Sequence, residues 1–278
     1  MKMTARFVTV LAVAAALLST AGCNRLKARD QLNKGVQAYK GANYEQAIEH
    51  FKNAVYLDDD LKVAKLYLAT AYAQQYVPGV ETPENVRMAT QAIDEYKKVL
   101  EKDPESVNSL KGIAFLFMQQ KKFDDAREYY KKAIQADPND PETYYSVGVI
   151  DWSATYKDAA EIKAKESLKV EDELKGKGSQ KICDAMKAKD GNIVDEGMKM
   201  LQAAIDKRQD YDDAMAYMNL LYRRKANDMT CEDAQARAEY VKTANEWSDK
   251  AMAARKKKAD EAAKKTSGGI ILDQPKSK

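Results

Sequence analysis

The side chains able to do covalent or acid–base chemistry are few in this sequence. Cys23, Cys183 and Cys231 supply the only thiols and His50 the only imidazole. A thiolate is a nucleophile, a metal ligand or half of a disulfide. One histidine leaves no pair from which to build a multi-histidine metal site. His50 follows Glu49 and precedes Phe51, which reads as a solvent-facing position on a helix with an apolar opposite side. The run Gly176-Lys177-Gly178-Ser179 has the residue types of a phosphate cradle without its spacing and reads as a loop. No Gly-x-Gly-x-x-Gly, Gly-x-Ser-x-Gly or His-Glu-x-x-His sequence occurs. No catalytic residue, cofactor or metal is therefore expected, and the chain reads as a non-enzyme. The cluster Arg255-Lys256-Lys257-Lys258, with Lys264 and Lys265, has the charge to touch anionic lipid. Asp260 and Glu261 interrupt it, and it reads as a solvated helix face. With 46 basic against 43 acidic residues, the chain offers no nucleic-acid surface.

The elements that carry these residues are helical by composition. Only 12 Gly and 6 Pro punctuate 278 residues, so turns are few and elements long. The first twenty-two residues stand apart. Lys2 and Arg6 give a basic start, Phe7 to Leu18 an apolar stretch, and Ser19-Thr20-Ala21-Gly22 a small-residue end before Cys23. Such a run is a secretory signal, and it is shorter than the about 20 apolar residues that span a bilayer. Its loss removes Lys2 and Arg6 and no acidic residue, leaving 44 basic against 43 acidic side chains.

Thr20-Ala21-Gly22-Cys23 resembles the lipobox of bacterial lipoproteins, with Thr20 in place of the usual Leu. The resemblance implies cleavage of 1–22, lipidation of Cys23 and a short tether over 23–27. Asn24 differs from the Asp that commonly retains such lipoproteins in the inner membrane. The expected location is the periplasmic face of an outer membrane, lipid-anchored.

The remainder repeats. Gly35, Tyr44, Ala47, Phe51 and Ala54 recur at the same offsets as Ala114, Phe123, Ala126, Tyr130 and Ala133. This pattern resembles the tetratricopeptide repeat, a 34-residue helix–turn–helix with small residues at positions 8, 20 and 27 and larger ones near 17 and 24. Small side chains there let helices approach closely. The resemblance implies an all-α solenoid over 28–265 in about five units: 28–61, 62–106, 107–140, 141–211 and 212–265. Ala69 to Ala92 exceeds the expected twelve-residue step by eleven, and Gly148 to Gly197 by thirty-seven, so units two and four carry insertions, as does unit five. Glu232 to about Lys264 fits a polar capping helix. Residues 266–278 read as a flexible tail.

In this family the first helices of the units line an inner groove. The positions that face it here are Val36, Tyr39, Phe115, Met118, Tyr145, Val149, Trp152 and Leu220, an apolar wall suited to a protein segment. Two alternatives leave no free groove: the wall packs on itself, or the unit-four insertion fills it. Cys183 and Cys231 fall in the helix connections of units four and five, on one edge of a solenoid. They are either a disulfide or two separate thiols. The reading is a membrane-anchored adaptor that binds an envelope protein or peptide. The alternative is a dedicated lipoprotein subunit of an outer-membrane assembly or pilus and secretion machine.

Overall fold

A computed structural model describes residues 23–174 and 178–267 of the protein; the expected signal segment 1–22 and residues 268–278 of the expected tail lie outside the described residues. Among the described residues the fold is all-helical, with ten helices and no strand. The helices gather into two compact units, one ending at Ala136 and the other beginning at Asp137.

The first unit holds α1 (residues 23–40), α2 (Tyr44–Leu57), α3 (Lys62–Gln75), α4 (Pro83–Lys102), α5 (Val107–Gln119) and α6 (Phe123–Ala136). Consecutive helices from α2 to α6 pack on one another, and α3 also meets α5. Residues 23–27, expected as a tether, are the first residues of α1, and Ala28 beside them is fully buried.

Small residues set the helix spacing. A Cβ added to Gly35 would fall 2.4 Å from the Phe51 ring, so repeat position 8 abuts position 24 with no room for a methyl group. Phe51 is itself fully buried and stacks on Tyr67, with centroids 5.4 Å apart. The turns after α1 and α5 share one geometry. Ala42 and Lys121 adopt φ of 57° and 59°, and the next amides, of Asn43 and Lys122, donate back to the carbonyls of Ala38 and Phe117. This is the left-handed helix stop that usually selects glycine.

The second unit holds α7 (Pro141–Ala164), α8 (Ser179–Lys207), α9 (Asp212–Asp228) and α10 (Ala234–Ser267). Asp140 starts α7 by accepting from the Glu142 amide and the Thr143 hydroxyl at 3.0 and 2.6 Å. Helix α7 packs on α8, α8 on α9, and α9 on both α7 and α10. A Cβ at Gly148 would sit 2.5 Å from Leu201 Cγ, the same contact of positions 8 and 24. In the last repeat position 8 is Asn219, which is not small. Its side-chain amide donates to the Ala244 carbonyl at 2.6 Å, replacing close approach with a buried hydrogen bond.

The unit-four insertion mostly lengthens helices. It gives α7 24 residues and α8 29, joined by residues 165–178. Residues 266 and 267, expected in the tail, still belong to α10. The basic run of α10 is more than a solvated face. Arg255 Nε and Lys258 Nζ donate to Asp212 at 2.8 and 2.5 Å, and Arg255 reaches Asp213 at 3.1 Å. These contacts place cations at the N-terminal turn of α9 only through its own acidic residues, fastening the capping helix along α9. His50 is half-buried, with Nδ1 donating to Gln31 Oε1 at 2.8 Å, a helix-to-helix bond in place of the solvent-facing role expected.

Candidate functional site

The eight residues expected to line a groove fall into two groups, one on each unit. In the second unit Tyr145, Val149 and Trp152 on α7 and Leu220 on α9 are all half-buried. Tyr145 meets Tyr211 at 5.0 Å and Tyr217 at 5.7 Å between ring centroids. Trp152 meets Tyr217 at 5.4 Å and Tyr156 at 5.2 Å. Neighbouring first helices lie close enough for their rings to fill the space between them, and each aromatic pair adds about 0.5–1.5 kcal/mol beyond burial. Burial, then the neighbouring Tyr217 and acidic groups, push the Tyr145 phenol up to about 12. The expected open wall is here a self-packed aromatic seam.

The insertion is fastened at the far tip of this unit. Cys183 and Cys231 are joined by a disulfide, with Cα atoms 5.4 Å apart. Lys163, fully buried, pairs with Asp228 at 2.6 Å and donates to the carbonyls of Val170 and Asp172 at 2.8 and 2.6 Å. Arg224 also bonds Asp228. Arg237 closes the other side by donating to the carbonyls of Leu174 and Cys231 at 3.2 and 2.7 Å. The disulfide is the bonded one of the two alternatives for Cys183 and Cys231, whereas nothing in the sequence singles out Lys163, Arg224, Asp228 or Arg237.

In the first unit Val36 and Tyr39 pack against the core built by α2 to α5, and Met118 is half-buried. Phe115 differs. It is 46 % exposed, and it alone of the eight stays open to solvent. It stands on a pocket of about 440 Å³ between α3 and α5, lined by Thr70, Ala73, Tyr76, Tyr96 and Lys111 among others. Tyr96 forms part of the lining because Gly112 has no side chain; a Cβ there would lie 2.4 Å from its ring. Its hydroxyl shares a 3.1 Å hydrogen bond with Thr70, and burial raises the phenol pKa.

A second pocket of about 430 Å³ adjoins the loop between α3 and α4, with Tyr76 common to both. Residues 76–82 take up only part of the eleven-residue insertion of unit two; the rest lengthens α4 to 20 residues, started by Thr82 and Pro83. Asn85, buried on the first turn of α4, pins the loop. Its Oδ1 accepts from the Val77 amide at 2.7 Å, and its Nδ2 donates to the carbonyls of Val77 and Val80 at 2.8 and 2.6 Å. Val77, Val80 and Val86 are left exposed on this fixed shelf. Nothing in the repeat frame signals Asn85, because its partners are backbone groups.

Cys23 is the first described residue of α1, exposed and free. Among the described residues no group of three or more His, Cys, Asp or Glu side chains is disposed to hold a metal ion, and no helix is long and apolar enough to cross a membrane.

Residues 87–147 match the family model of the tetratricopeptide repeat, and the helical hairpins around them have that fold. Solved structures agree. The crystal structure of MamA is 15 % identical, covering 81 % of this chain and 96 % of its own, with a TM-score of 0.55. A double mutant of MamA from RS-1 gives 15 % identity, 84 % and 96 % coverage and 0.56. MamA 41-end from Desulfovibrio magneticus RS-1 gives 15 %, 83 % and 96 %, and 0.55. At this identity the likeness is one of fold. No curated protein sequence matches the chain significantly.

Proposed function

We propose that this protein is a lipid-anchored adaptor of the bacterial cell envelope that holds a partner's polypeptide segment against the first helices of its N-terminal unit. Repeats of this kind present extended surfaces for other proteins, with affinity from shape and burial and no bond made or broken. The anchor is Cys23, exposed at the start of α1, after removal of 1–22. The periplasmic face of an outer membrane suits Asn24 at the next position.

The observation that carries the binding role is Phe115, 46 % exposed beside an open pocket while its counterparts on the second unit are packed away. A solvent-exposed phenylalanine held on a rigid helix loses little freedom on binding, and such anchors contribute on the order of 2 kcal/mol or more. The test is a photoreactive residue at 115 in cells, with one at Tyr56, 88 % exposed on α2, as control. A discrete adduct from 115 and none from 56 supports the reading; no adduct from 115 sinks it. In the same cells Cys23→Ser should move the protein from the detergent phase to the aqueous phase.

A further inference from the structure

The inward stripe of α8 runs Cys183, Met186, Asp190, Val194, Gly197 and Leu201, all buried. Cys183 and Met186 belong to the small apolar cluster at the hairpin tip, and Val194 and Leu201 to the main core of the unit. Asp190, 1 % exposed, occupies the register between them, where an apolar side chain would bury area without desolvating a charge. Its side chain meets that of Asp158 across the α7–α8 interface, while its Oδ1 is buried with no partner. Asp158 in turn pairs with Lys189 at 2.9 Å. Two carboxyl groups in hydrogen-bond contact need a proton between them; both ionised, they repel in a low-dielectric setting.

We infer that Asp158 and Asp190 form a proton-operated latch in the α7–α8 hairpin, closed when the pair shares a proton and loosened when both are charged. The surrounding cations Lys189 and Arg224 favour the charged form of Asp190, but each is already engaged. On α7, Lys163 is engaged with Asp228; on α8, Lys189 is held by Asp158; on α9, Arg224 is held by Asp228. On α10, Arg237 is spent on backbone carbonyls. What loosens is the distal hairpin: α7 beyond Asp158 and the start of α8. The disulfide and the Lys163–Asp228 pair keep its tip attached to α9.

The sign follows from linkage. Burial, then the neighbouring Asp158, raises the Asp190 pKa from 3.8 to about 7, so the closed state binds the extra proton and loses its advantage as pH rises through about 7. If the open hairpin restores the ordinary carboxyl, its opening constant is about 30-fold larger at pH 8.5 than at pH 5.5. Hydrogen exchange of the 182–194 amides, corrected for intrinsic rates, measures this on the full chain. The wild type should show the rise, and Asp190→Asn, which keeps a hydrogen bond to Asp158 without the charge, should abolish most of it. Asp190→Leu, which removes the titrating group and continues the apolar stripe, should do the same and stands in if the first variant misfolds. A flat wild-type profile, or an undiminished rise in a folded variant, overturns the latch.

Discussion

Gly35→Ala tests whether steric fit between repeat positions 8 and 24 holds a hairpin together. The new methyl would lie 2.4 and 2.6 Å from two carbons of the Phe51 ring, and that ring is fully buried and stacked on Tyr67, so it has nowhere to go. Overpacking of this kind costs about 1–3 kcal/mol. Alanine in place of glycine within α1 returns about 1 kcal/mol in helix propensity. The net is a loss of up to about 2 kcal/mol. Phe51→Leu alone leaves a cavity and loses about 1–2 kcal/mol. Together the two substitutions fit each other better, because leucine lacks Cε1, the ring carbon nearest the methyl, and can turn its Cδ carbons away. Urea denaturation followed by far-ultraviolet circular dichroism should show the double variant at least 1 kcal/mol more stable than the sum of the singles predicts. Strict additivity would refute the argument, since it would mean that the methyl and the ring never compete for one space.

Two further outcomes follow from contacts described above. Reduction of Cys183–Cys231, or Cys231→Ser, frees a loop with a sequence separation of 48 and should lower stability by up to about 4 kcal/mol on chain-entropy grounds; a urea midpoint insensitive to dithiothreitol would contradict this. Asn85→Ala removes three hydrogen bonds to loop 76–82 and should free Val77 and Val80 from their fixed placement. Amide exchange of that loop should then rise at least tenfold with α3 and α4 unchanged, whereas an unaltered loop would show that Asn85 is not its pin.

The repeat itself was legible because its physics is steric. Gly35 with Phe51 and Gly148 with Leu201 mark the same contact in two hairpins, and a side chain's size is readable from its letter. The left-handed stops at Ala42 and Lys121 were not, because neither residue is the glycine such a turn favours. The insertions were visible as counts of residues but not as longer helices, since counting offsets says nothing about conformation. The groove was half legible. A repeat frame assigns Tyr145 and Trp152 to one face, yet it does not say how near α7 and α9 come, and that distance decides whether the rings meet a partner or Tyr217. Phe115 was among the residues named, while the shelf beside it depends on Asn85 and its backbone partners, which no side-chain pattern encodes. The buried charges failed for a related reason. Lys163, Asp190 and Asp228 look in the sequence like a solvated helix, and only the α7–α8–α9 packing reveals them as interior groups.

Cys183 and Cys231 bracket all of α9 and nearly all of α8. A protease that cleaves the chain between them therefore makes two fragments that do not part, since the sulfur link still ties the pieces. Under oxidising conditions this stretch survives a nick as one covalent body, and a cut would be seen on a gel only after the sample is reduced.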